Sequence, residues 1–170
     1  MKKLILLTLL ILPFVLCSQV SSNLLSKSDF SEIRINDVSF LELKETYGDQ
    51  SKLTALFVHD IQRSDIDPDG EFYNYEYDGF RIGFSGLIGS LEYPTISKFE
   101  ITNSNWRVTI KGKTVNLGSH YNELGNVTLN NRTDGGKSVV FQYCDGCNNY
   151  LAFELDGNGK IKKIYYIEMT

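Results

Sequence analysis

A strand–helix–hairpin–strand plan runs through this chain twice, and a duplicated plan leaves few folds open. The first copy opens on Ile33 and Ile35 in alternation. It continues through Val38-Ser39-Phe40-Leu41-Glu42-Leu43-Lys44-Glu45-Thr46-Tyr47 to Gly48. Ser39 and Glu42 have the spacing of a capping box, and Phe40, Leu43 and Tyr47 share one helical face. Gly48 suits a left-handed helix end. The second copy opens on Val108 and Ile110, continues from Val115 to Leu124 and closes at Gly125. A shift of 77 positions lays Val38 on Val115, Phe40 on Leu117 and Gly48 on Gly125.

Each copy then reads as a hairpin. Tyr73, Tyr75 and Tyr77 alternate up to the turn Asp78-Gly79, and Arg81-Ile82-Gly83-Phe84 returns. Val139, Phe141 and Tyr143 alternate up to Cys144-Asp145-Gly146-Cys147, and Tyr150-Leu151-Ala152-Phe153 returns. Ile96 to Ile101 and Ile161 to Tyr166 close the copies, the second after the strong turn signal Asp156-Gly157-Asn158-Gly159. The expectation is one globular α+β domain over residues 31–170, made of repeats at about 31–102 and 106–169. An antiparallel sheet would carry the short helices on one face, since a single short helix cannot bury a sheet face alone. Lys52 to Gln62 fits an amphipathic helix through Leu53, Leu56, Phe57 and Ile61, and fits a strand equally well.

Val115-Asn116-Leu117-Gly118-Ser119 with Leu124-Gly125, and more loosely Val38 to Gly48, resemble the repeated unit of the β-lactamase-inhibitor-protein architecture. The same pattern is similar to the small outer-membrane assembly lipoproteins, which carry one copy. The first copy departs from it, with Phe40-Leu41 where the pattern has glycine after the apolar residue. The resemblance implies a non-enzymatic exported protein that works by binding other proteins.

Export is also legible at the start of the chain. Lys2 and Lys3 precede an apolar run from Leu4 to Leu16, 13 residues long. That suits the apolar region of a secretory signal peptide and is too short for a membrane-spanning helix. Residues 1–18 are therefore expected to be a signal peptide, and the polar, serine-rich residues 19–30 a flexible leader. A competing reading acylates Cys17 as a lipid anchor, although Leu16 stands where lipoprotein signals place a small residue. The expected location is the periplasm or the extracellular space. Loss of Lys2 and Lys3 takes the basic residues from 17 to 15 against 21 acidic ones, a net charge of −6. Such a chain, with no Lys/Arg block, suits neither nucleic acid nor an anionic membrane surface. No later segment is long and apolar enough to span a membrane.

Asp65, Asp67, Asp69, Gly70 and Glu76 match the spacing of a calcium loop, in which three carboxylates converge around a sharp turn and a glutamate closes the shell. Pro68 and a strand-like exit are foreign to the helix-flanked version. The competing reading is a solvated acidic turn, and calcium is the one cofactor the sequence suggests. Cys144 and Cys147 span a turn in a chain expected to be exported, which favours a structural disulfide over a redox pair at a helix start. His120 is expected mid-helix, and neither it nor His59 has a nucleophile partner in a motif, so no catalytic residue is assigned. With Ile164 and Tyr166 assigned to the core, alternation puts Ile161, Tyr165 and Ile167 on the opposite face as a partner-contacting row.

The function expected from these features is a protein-binding module of inhibitor or immunity type that occludes a protein partner. An envelope assembly or scaffold protein is the alternative in the same compartment; a small carbohydrate-active or redox enzyme is the alternative from another class. Intact mass and N-terminal sequencing of the native protein should give a mature chain beginning near Gln19. A diacylated Cys17 would instead place it on a membrane surface.

Overall fold

The computed structural model describes residues 23–66, 72–86 and 95–168. Strands account for 47% of it and helices for 17%. The tyrosine and phenylalanine alternation builds β5 (Phe72–Tyr77) and β6 (Phe80–Ser85), joined at Asp78-Gly79. Gly79 has φ +75, and a Cβ there would lie 2.1 Å from the Asn103 side chain, so the turn admits little else. β4 (Arg63–Ile66) flanks β5, and β7 (Thr95–Ile101) flanks β6. A second meander follows: β10 (Leu129–Asn131), β11 (Lys137–Gln142), β12 (Asn149–Leu155) and β13 (Ile161–Glu168).

β7 and β13 pair antiparallel, Phe99 opposite Tyr166, and fuse the two meanders into one sheet of nine strands. The ninth, β1 (Asn23–Leu24), lies parallel on β11 and makes the sheet mixed. A smaller sheet holds β3 (Val38–Ser39), β2 (Arg34–Ile35), β8 (Arg107–Ile110) and β9 (Lys113–Asn116), in that order.

The helices are α1 (Lys27–Ser31), α2 (Phe40–Glu45) and α3 (Gln50–Leu56), of 5, 6 and 7 residues. The expected capping box holds: the Glu42 N–H donates to Ser39 Oγ, and the Ser39 N–H donates to Glu42 Oε2 at 2.7 Å. The α+β arrangement is nevertheless not what forms, because the described residues are mostly β-sheet with three short helices. The second copy shows why. Lys111 and Gly112, at φ +48 and +71, fold residues 107–116 into a hairpin, and Gly118 at φ +92 interrupts the segment expected to be helical. Only one 3₁₀ turn, Tyr121–Leu124, remains where a helix was expected. Lys52 to Gln62 divides as well, into α3 and a non-helical stretch from Phe57 that bends at Val58 and His59. The segment expected as a flexible leader contributes β1 and α1 from Asn23 onward, with Phe30 buried; residues 1–22, and with them Cys17, lie outside the described residues.

Two clusters of aromatic rings lie within the core. The Phe40 ring centroid is 4.8 Å from Tyr166 and 6.1 Å from Phe99, and Phe99 stacks on Tyr166 at 5.6 Å. A second group gathers on Trp106, with Phe80 at 4.5 Å and Phe57 at 5.3 Å, and the indole N–H donates to the Asp78 carbonyl at 2.7 Å. Such ring pairs add about 0.5–1.5 kcal/mol each beyond area burial.

The β12–β13 register corrects one site expectation. Glu154 pairs with Lys163, but Leu155 pairs with Ile161, so Lys162 is an extra residue in a bulge. The bulge returns Ile161 to the inner face with Ile164 and Tyr166, where it is 2% exposed. Ile161 is a core residue and no part of an outward row. Ile161→Ala should therefore lower unfolding free energy by about 2–5 kcal/mol in denaturant titration, the ordinary cost of a large-to-small core change.

Candidate functional site

The face of the large sheet turned away from the aromatic core carries the best-defined arrangement of polar side chains. Register alignment sets Arg63, Glu76, Arg81, Glu100 and Tyr165 in one row across β4, β5, β6, β7 and β13. Arg81 pairs with Glu76 at 3.1 Å, and Lys163 with Glu100 at 2.9 Å. The ladder continues through Glu154, which pairs with Arg132, and on to Asp134, 3.1 Å from Arg132. Charges thus alternate in sign across the sheet. Two shallow hollows lie on this face, one of about 280 Å³ within the first meander and one of about 240 Å³ across the β7–β13 seam.

Two of the three residues expected to contact a partner sit here. Tyr165 and Ile167 are half-buried on the outer face. The Tyr165 ring meets Tyr150 at 6.1 Å and lies 5.6 Å below the Lys163 ammonium. Burial pushes the Tyr165 hydroxyl pKa up, and the neighbouring Tyr150 and Glu154 add to it.

The calcium residues stand differently. Asp65 and Glu76 lie on neighbouring strands of the same face, Asp65 opposite Asn74 and Glu76 opposite Arg63. Glu76 is occupied by Arg81. Asp67 and Asp69 lie outside the described residues. Cys144 and Cys147 are within disulfide-bonding distance, with Cα atoms 5.4 Å apart. They cap the β11–β12 hairpin, where the Gln142 amide donates to the Cys147 carbonyl at 2.8 Å. His120 is not mid-helix: it caps the 3₁₀ turn, and its Nδ1 accepts the Asn122 N–H at 3.3 Å. His59 lies against Trp106 at 5.0 Å.

The charge ladder is what sequence reasoning missed. Its signal was present, since Glu76, Arg81, Lys98, Glu100 and Lys163 fall between apolar core positions of their strands. Arg132 carried no such signal, because it reaches Glu154 from the turn beyond β10. No protein-family model matches the chain, no curated protein is detectably similar to it, and no solved structure matches it.

Arg132 and the Gly136 N–H hold the Asp134 carboxyl down at about 2. A free aspartate titrates near 3.9. The stabilisation from ionised Asp134 is therefore complete above about pH 4 and is lost as pH falls through 2. Melting temperatures of wild type and Asp134→Asn should differ at pH 7 and converge between pH 4 and pH 2.

Proposed function

We propose that this protein is an exported, non-enzymatic binding module of inhibitor or immunity type, and that the outer face of its large sheet occludes a protein partner. The observation that carries this is the half-buried group Tyr150, Tyr165 and Ile167 beside the ladder of alternating charges. Aromatic side chains with a polar surround are the usual anchors of protein interfaces, since they exclude water from contacts that charges alone leave wet. Alternating charges add discrimination, because a partner must match several signs in order. The signal-peptide pattern of residues 1–18 supplies the compartment. The resemblance to inhibitor proteins gives the mode of action: blocking a surface requires shape and charge but no reacting group.

The decisive variants are Tyr165→Ala and Arg81→Glu. A partner retained from the native envelope by the wild-type protein should bind Tyr165→Ala more weakly by about 2 kcal/mol, near thirtyfold. Arg81→Glu should slow association more than it speeds dissociation. Melting temperatures should shift only slightly, since both side chains reach solvent. Full binding by both variants would remove this face from the function.

A further inference from the structure

A separate cleft opens at the end of the second meander, between the turn after β10, the turn between β12 and β13, and the 3₁₀ turn at Tyr121. Its volume is about 480 Å³, within the range of small-molecule sites. Half-buried Tyr121 and Leu129 and buried Leu155 give it an apolar lining. Gly159, at φ +77, lets the β12–β13 turn close on the His120–Tyr121 pair: a Cβ there would lie 2.8 Å from His120 Nε2 and 3.1 Å from the Tyr121 ring.

The charge at the cleft runs against that of the molecule. Lys137 and Lys162 line it, and neither forms an ion pair with a described residue. One carboxylate, Asp156, lines the cleft with them, and Lys162 acts on Asp156 and Asp134 from beyond ion-pair distance. Asp156 accepts the N–H groups of Asn158 and Lys160 at 2.9 and 2.8 Å, Asp134 is held by Arg132, and Glu123 accepts the His120 N–H at 2.8 Å. Because His120 Nδ1 accepts the Asn122 N–H, the neutral ring carries its proton on Nε2 and offers a donor. A chain with a formal charge of −4 thus presents donors and cations at one apolar-lined hollow.

We infer that this cleft binds an acidic saccharide, with the carboxylate on Lys137 and Lys162 and a sugar ring against Tyr121. The anionic group answers the two lysines, which outnumber the one lining carboxylate, Asp156, and form no ion pair with a described residue. A purely hydrocarbon acid would displace water from the exposed Asn158 side-chain amide and give it no partner, a cost that sugar hydroxyls avoid by donating and accepting. The cleft lies apart from Tyr165, beyond the Asp134 end of the charge ladder, so this site stands whether or not the sheet face around Tyr165 binds a protein.

The test is an amide-resolved NMR titration of the protein with sodium glucuronate, with glucose, sodium acetate and inorganic phosphate as separate probes. Glucuronate should move the resonances of Tyr121, Lys137 and residues 157–162 to saturation, with glucose and the simple anions binding far more weakly. Lys162→Gln, at an exposed bulge position, should weaken glucuronate at least about tenfold, the loss of one charge-assisted hydrogen bond, while Tyr165→Ala leaves it unchanged. A short oligogalacturonate binding more tightly than the monomer would assign the ligand to a polymer, and equal affinity to a free sugar acid; both support the site. Acetate or phosphate binding as tightly as glucuronate would overturn the saccharide, and no saturation by any probe would overturn the site.

Discussion

The antiparallel seam between β7 and β13 is the contact on which the other packing depends. It spans four residue pairs, from Ile164 opposite Ile101 to Ile167 opposite Lys98. Its inner side carries Phe99 and Tyr166 face to face, and Phe40 of α2 lies edge-on against both. Neither meander could bury these rings alone, since each would leave half of the stack in water. Full burial of such a ring is worth roughly 1.5–3 kcal/mol, so the stack rewards only the fused sheet. Tyr166 places its hydroxyl 2.8 Å from Glu168 Oε2, and burial drives its pKa well above the ordinary phenol range. The hydroxyl therefore stays protonated and donates to the carboxylate, which keeps a polar atom at the seam satisfied.

Side-chain alternation explains how much of this the sequence disclosed. Where a strand is regular, period two assigns each residue to a face, and Tyr75, Tyr77, Phe99, Ile164 and Tyr166 were all legible as core. Legibility ended at two kinds of irregularity. The bulge at Lys162 shifts the phase by one residue, which sends Ile161 inward while Tyr165 and Ile167 stay outward. The positive-φ pair Lys111 and Gly112 turns a helix-like pattern into a hairpin. Both are backbone events, and hydrophobic periodicity does not register them. The charge ladder was hidden for another reason: its members come from β4 through β13 and from a turn, and only the strand order brings them into line.

That ladder is better suited to recognition than to stability. Arg81 and Glu76 keep 55% and 39% of their side-chain surface exposed. Pairs so exposed contribute about 0–1 kcal/mol, because water screens the attraction and two long side chains lose freedom. The Arg132–Glu154 pair is better shielded, at 26% and 13%, and fastens the turn after β10 over the outer face of β12. The gradient runs from a fixed end near Arg132 to an adaptable end near Arg63. On the proposed binding face, the shielded end would hold its geometry while the exposed end exchanges its internal pairs for a partner's at little cost.

The same economy accounts for the lysines left over. Arg132 engages both Asp134 and Glu154, so these two carboxylates share one guanidinium at the end of the second meander. Arginine suits this double role because its planar fork presents several donors in fixed directions, which a single ammonium cannot do. With Asp156 also committed to its own turn, Lys137 and Lys162 have no carboxylate within ion-pair reach among the described residues. Placing the arginine at the ladder and the lysines at the cleft thus separates two environments on one acidic molecule. The first is a face whose charges are balanced internally and which, on the proposed function, selects a partner by pattern. The second is a hollow whose two lysines outnumber its one lining carboxylate, Asp156, and so favour an anion.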